Sequence, residues 1–173
     1  MFKELNTLKP FLDEPERAFH IREIASILEI SPATASKKLK NLQKEGILIH
    51  QKMAILDLFR ANLSSEEYKD IKIYYNIKRL RDVGLIKGLN EHFLKPTIIL
   101  FGSASFGNDT SSSDYDLCIL SEVSEEFDKS NYEEKLGRKI QLFLFNSFPK
   151  EEIVPLVNSI LSGKTLQGEV KWI

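Results

Sequence analysis

The chain has 173 residues, 42% hydrophobic and 28% charged, with 8 Gly and 6 Pro, a composition that folds into one ordinary domain or two small ones and sets disorder aside. A single cysteine, Cys118, cannot close an internal disulfide, and His20, His50 and His92 lack ligand spacing, so neither a disulfide scaffold nor a structural zinc site is expected. The formal charge of −1 divides into 17 Lys and Arg against 13 Asp and Glu over residues 1–95, and 7 against 12 over residues 96–173, a weak sign that the first part suits a polyanion and the second holds cations. No apolar run approaches the ~18 residues that cross a bilayer, and the N-terminus has no signal-peptide profile, so a chain without membrane spans in a reducing cytoplasm is the expectation.

In chain order, Phe2, Leu5, Leu8 and Leu12 stand at helical spacing and predict a first helix that ends near Asp13-Glu14-Pro15. Ile21, Ile24, Ala25 and Leu28 then share one face of a second helix. Ser31 can cap a third, with Pro32 in its first turn, where a missing amide proton is harmless. That helix is expected over residues 32–44, with Ala35, Leu39 and Leu42 inward and a stop before Gly46. Two β-type runs follow at residues 47–50 and 54–59, joined by Gln51-Lys52-Met53 as a small wing.

The stretch IREIASILEISPATASKKLKNLQKEGIL resembles the winged helix-turn-helix of many prokaryotic regulators, over roughly residues 1–60. That resemblance implies a helix that enters the DNA major groove, with Ser31, Thr34, Ser36 and Lys37 toward bases and Lys38 or Lys40 toward phosphate. The same module also serves as a dimerisation or docking unit, and the modest basicity leaves both uses open.

Residues 64–94 read as one long helix or two abutting ones, capped by Ser64 or Ser65 and kinked at Val83-Gly84. Tyr68, Ile71, Tyr74 or Tyr75, Leu80, Leu85 and Leu89 supply its apolar side. Lys69, Lys72, Lys78, Arg79, Arg81 and Lys87 make it basic, read first as a solvated face and alternatively as a surface that meets nucleic acid or nucleotide. Such a helix is expected to pack the two domains together or to pair with its counterpart in a second chain. Homodimerisation also follows from the helix-turn-helix, since two copies read paired half-sites.

A buried β run, Thr97-Ile98-Ile99-Leu100-Phe101, ends abruptly at Gly102-Ser103. After a polar connection comes a second strand containing Asp114-Tyr115-Asp116. Strand periodicity puts Asp114 and Asp116 on one face while Tyr115 and Leu117 enter the core. Neighbouring carboxylates repel, and a divalent cation is the usual chemical reason for holding them together. Magnesium can bridge such a pair to the phosphates of a nucleoside triphosphate.

The segment GSASFGNDTSSSDYDL resembles the signature of the minimal nucleotidyltransferases, Gly-Ser, ten residues, then Asp-x-Asp. The resemblance implies that Gly102 allows a triphosphate close to the backbone and that Ser103 donates to a phosphate oxygen. It makes Asp114 and Asp116 the catalytic and metal-holding pair, with Mg2+ as cofactor and ATP or another nucleoside triphosphate as substrate. The family supplies a third carboxylate from the next core strand; in residues 139–145 that position is Gln141, which can neither act as a base nor supply charge. Glu133 and Glu134 stand upstream as alternatives. Members of the family include enzymes that modify small molecules and antitoxins that adenylylate a tyrosine on a partner toxin, so a separate protein acceptor is one expectation. A nucleotide-sensing, DNA-binding regulator with lost turnover is the other. Residues 155–168 resemble the C-terminal helix and strand of the same family.

The expected architecture is therefore α+β. A winged helix-turn-helix over residues 1–62 and a helical connector over 63–95 precede a minimal nucleotidyltransferase domain over 96–173, with a mixed sheet and flanking helices. Walker A and EF-hand readings fail on residue identity or spacing, no histidine stands near Ser103 or Cys118 in sequence, which leaves only a triad assembled in space, and Cys118 reads as a buried small hydrophobe.

Overall fold

The computed structural model describes residues 2–53, 56–147 and 154–170. The chain is α+β and divides into two compact units, Met1–Lys72 and Ile73–Ile173.

In the first unit, α1 (Phe2–Asp13) is followed by a short strand β1 (Ala18–His20), then by α2 (Ile21–Ile27) and α3 (Pro32–Lys44). The His20 side chain accepts a 3.1 Å bond from the Glu23 amide and so caps α2. Ser31 caps α3 in the same way through the Thr34 amide, with Pro32 in the first turn. Ala35, Leu39 and Leu42 are buried, as their spacing requires. The hairpin strands are β2 (Leu48–Met53) and β3 (Leu56–Ala61). Gln51, Lys52 and Met53, expected as the connection, instead extend β2 and pair with Leu58, Asp57 and Leu56; residues 54 and 55 lie outside the described residues. Sheet pairing carries β2 past the polar sequence because Lys52 and Met53 need only offer backbone to the ladder. The sequence reading missed β1, which pairs antiparallel with β3 and gives the order β1-β3-β2.

Helix α4 (Glu66–Asp82) begins at Ser65, whose hydroxyl accepts from the Tyr68 amide. Its most buried row is Tyr68, Lys72, Asn76 and Leu80, at intervals of four. Lys72, expected on a solvated face, is 2% exposed and donates to the Leu12 carbonyl, while the Tyr68 hydroxyl donates to the Phe11 carbonyl at 2.8 Å. Both bonds satisfy carbonyls at the C-terminus of α1 that the helix itself leaves orphaned.

In the second unit the remainder of α4 leads through Gly84, at φ 81°, into α5 (Leu85–His92). The left-handed conformation at Gly84 is the break between the two helices. Four strands, β4 (Thr97–Phe101), β5 (Tyr115–Leu120), β6 (Ile140–Phe145) and β7 (Lys164–Gln167), form a mixed sheet in the order β6-β5-β4-β7. Only the β5–β6 pair is parallel, joined through α6 (Ser130–Leu136), and α7 (Val154–Leu161) precedes β7. One face of the sheet, with Leu100, Tyr115, Leu117, Ile119 and Ile140, packs against Leu80, Leu85, Leu89 and Leu136. The opposite face, with Ile99, Phe101 and Cys118, packs against Ile160 of α7.

Lys72→Met should lower the free energy of unfolding by about 1–3 kcal/mol, because a buried carbonyl loses its donor. A solvated lysine would change it by no more than about 0.5 kcal/mol, and urea denaturation distinguishes the two.

Candidate functional site

The sheet face covered by α7 carries the polar site at one end. Strand β4 stops at Gly102, which takes φ 66° and ψ −160°, a conformation closed to L side chains. A Cβ there would stand 2.3 Å from Asp116 Oδ2, so the carboxylate of Asp116 packs directly on the glycine backbone. The antiparallel register that pairs Phe101 with Asp116 brings them together. A single 3-10 turn, Ser103–Ser105, follows; its Ser105 hydroxyl donates to the Gly102 carbonyl at 2.8 Å. The Ser103 carbonyl accepts from the amides of Phe106 and Asn108, which ties down the start of the loop and leaves the Ser103 side chain half-buried.

Asp114 immediately precedes β5, Asp116 lies within it, and both are half-buried. Gln141 of β6 is the register partner of Asp116, yet its Nε2 reaches Asp114 and donates to Oδ2 at 2.7 Å. The three residues expected at the metal site thus meet. Burial pushes the Asp116 carboxyl above its ordinary pKa, the neighbouring Asp114 charge adds to the rise, and Arg138 partly opposes it.

Glu133 does not join this group. Its Oε1 accepts from the Ile140 amide at 2.8 Å, and Lys129 and Lys139 lie 3.5 and 3.4 Å from its carboxylate. That backbone bond, first among its causes, holds the Glu133 pKa low. Glu134 is exposed on α6. Among the described residues, no three His, Cys, Asp or Glu side chains are arranged to hold a metal ion.

Behind the carboxylates lies a buried polar hub that the sequence reading missed. Arg138 Nη1 pairs with Asp109 Oδ2 at 2.7 Å, with side chains only 6% and 0% exposed. Its Nε donates to the Ser113 carbonyl at 2.6 Å and its Nη2 to the Asp114 carbonyl at 3.3 Å, while the guanidinium lies 4.0 Å from the Tyr115 ring centre. Asn76 Nδ2 donates to Asp109 Oδ1 and to the Ala104 carbonyl, and Asn76 Oδ1 accepts from the Tyr115 hydroxyl. These bonds hold both ends of the loop between Gly102 and Asp114. A lone arginine before an apolar strand and an aspartate in a polar loop, 29 residues apart, give no sequence signal of pairing.

Comparison with known proteins agrees with this geometry: the nucleotidyltransferase domain family matches residues 82–165. The chain carries a nucleotidyltransferase-family domain. No curated relative matches the chain. A similar solved structure is that of a possible transcriptional regulator from Methanosarcina mazei Go1, 18% identical, covering 50% of this chain and 76% of that one. The two superpose with a TM-score of 0.37. The family match spans Gly102, Ser103, Asp114, Asp116 and Gln141 together with Asp109 and Arg138 of the hub, whose remaining member, Asn76, lies before the matched residues.

The other expected site residues lie on α3 of the first unit or, for Ser31, cap it. Ser31, Thr34, Lys37 and Lys40 are exposed, and Ser36 and Lys38 are half-buried. The Ser31 hydroxyl caps the helix and lies 2.9 Å from Thr34 Oγ1. Cys118 is buried, which pushes its thiol up to about 12 and leaves it inert. Among the described residues, no helix is long and apolar enough to cross a membrane.

Two predictions follow from the buried groups. Arg138→Met should lower the free energy of unfolding in urea by about 3–5 kcal/mol, because it removes the cation that compensates the buried Asp109 charge; Asp109→Leu/Arg138→Met should cost less than the two single changes added together. The raised Asp116 pKa means that the native state holds this proton more tightly than the unfolded chain. Stability is then lost as pH rises from the ordinary carboxylate pKa through the raised one. Metal-free Asp116→Asn should therefore melt above the native sequence at neutral pH, with the difference closing at pH values below both pKa values.

Proposed function

We propose that the C-terminal unit is a magnesium-dependent nucleotidyltransferase that moves a nucleoside monophosphate, from ATP by preference, onto a hydroxyl acceptor. The observation that carries this reading is the packing of the Asp116 carboxylate on Gly102, with Asp114 beside it, at the end of a sheet. Two carboxylates beside a glycine turn would fit one Mg2+ completed by substrate phosphates, the coordination this ion prefers. When bound, magnesium would neutralise charge on the triphosphate as the α-phosphoryl group transfers. Asp114 and Asp116 would hold it, and Gly102 and Ser103 would meet the phosphates through backbone and hydroxyl. The rate would come from alignment and charge neutralisation, with pyrophosphate leaving.

The Gln141 amide on Asp114 favours a second reading, a nucleotide-sensing regulator with weakened turnover. A glutamine at the third position contributes no charge and accepts no proton. The first unit suits such a regulator as a winged helix. Its α2 and α3 are joined by a tight turn and followed by the β2–β3 hairpin, and the exposed Thr34, Lys37 and Lys40 recur every third residue along α3. With the cytoplasm as its place of action, a homodimer would set two α3 helices on paired half-sites. On the first reading the acceptor is a separate protein, as in the antitoxin members of the family.

The deciding measurement is transfer of label from α-labelled ATP with magnesium in whole-cell extract, with Asp114→Ala/Asp116→Ala as control. Label on a protein or small molecule that requires the intact pair is the expected result. Magnesium-dependent ATP binding without transfer would replace the transferase with the sensor. In that case Gln141→Glu should restore transfer from its background level.

A further inference from the structure

Strand β6 is an edge of the four-stranded sheet. Its parallel pairing with β5 uses the backbone of alternate residues, as the bonds from Tyr115 N to Lys139 O and from Ser121 N to Phe145 O show. The backbone groups of Ile140, Leu142 and Leu144 therefore point away from the sheet. At Ile140 the edge is closed by the protein itself: Glu133 accepts from its amide and Lys129 donates to its carbonyl. Leu142 and Leu144 have no such partners among the described residues.

A groove of about 620 Å³ runs beside these two leucines, bounded on its other side by residues 124–130. Leu142, Leu144 and Phe127 give it an apolar floor, and Leu144 is 39% exposed. Glu125, Glu126 and Asp128 on the rim are exposed, and hydrogen bonds from Ser130 hold the Asp128 carboxylate charged. Lys129 is turned toward the Ile140 carbonyl and Glu133, so the rim presents net negative charge. Proteins ordinarily protect an exposed edge with a charge, a proline or a bulge within the strand; Ile-Gln-Leu-Phe-Leu-Phe has no charge or proline, and its pairing with β5 is unbroken.

We propose that the outer edge of β6 is a docking site for an extended, basic segment of a partner protein, which adds to the sheet as a strand. Its backbone pairs with the amides and carbonyls of Leu142 and Leu144, its apolar side chains enter the groove, and its cations meet Glu125, Glu126 and Asp128. A second copy of this chain fits the same edge poorly, because β6 against β6 would bring two acidic rims together. The inference is independent of the nucleotide reading, since the docking residues are distinct from Asp114, Asp116 and Gln141.

The test uses the full chain and a fluorescent, end-capped peptide of alternating Lys and Val. Its analogue, N-methylated on the backbone, keeps the charge but cannot pair as a strand. Binding is read by anisotropy, and the Leu142 and Leu144 amides by hydrogen exchange in NMR. The expected result is selective slowing of those two amides by the peptide, loss of binding on N-methylation, and weakening by about tenfold or more in Glu125→Lys/Glu126→Lys. Leu144→Arg, at an exposed position, should weaken binding while leaving the melting temperature unchanged. Equal binding of the N-methylated peptide, or affinity unchanged by charge reversal, would overturn the proposal. So would protection of the Leu142 and Leu144 amides in the free monomer, or protection that appears only as the chain self-associates.

Discussion

Arg138 is buried among oxygens that come from three places in the chain: the Asp109 carboxylate and the carbonyls of Ser113 and Asp114. A guanidinium offers five donors in a rigid planar fork, which is why one side chain can fasten a loop at several points. The buried charge is compensated by Asp109, which Asn76 binds in turn while also holding the Ala104 carbonyl near the other end of the loop. A buried ion pair of this kind adds little net stability against an apolar replacement, but breaking one partner is costly. Its consequence is positional: the Gly102–Asp114 connection, polar and rich in serine, is held in one conformation beside the sheet.

That fixed loop allows a locally unfavourable arrangement of charge to persist. Asp116 lies half-buried against Gly102 and beside a second carboxylate, and its raised pKa records the cost. Gln141 relieves part of the repulsion by donating to Asp114 from the strand on the other side of β5. A carboxylate in its place would add to the repulsion and would depend on a bound cation for compensation. A glutamine at this position thus makes the cation-free pair easier to maintain; on the proposed transferase reading it would also remove one ligand and one base, a trade between stability and turnover.

Polar groups also organise α4. Its buried row runs Tyr68, Lys72, Asn76 and Leu80, and three of these four side chains are there to satisfy hydrogen bonds as well as to fill space. Lys72 and Tyr68 terminate α1 within the first unit, and Asn76 serves the loop in the second. The lysine stem can be buried because its ammonium reaches a carbonyl that would otherwise lack a donor.

Local rules made much of the architecture readable from sequence. Ser31-Pro32 marks the start of α3, the spacing of Ala35, Leu39 and Leu42 marks its buried side, and Gly84 marks the break between α4 and α5. Asp114 and Asp116 share a strand face because the backbone alternates with period two, and Gln141 was locatable by the same alternation. Long-range pairing decided the rest. Strand β1, three residues long, exists only because β3 lies beside it, and β2 runs through Gln51-Lys52-Met53 because the ladder rewards backbone rather than side-chain polarity. Lys72 reads as a solvated cation in sequence and Arg138 gives no signal of its partner; both are buried because acceptors 60 and 29 residues away are brought to them. Periodicity reports where a side chain points, whereas the partner that meets it is set by tertiary packing, and a buried charge is tolerable only once that partner is in place.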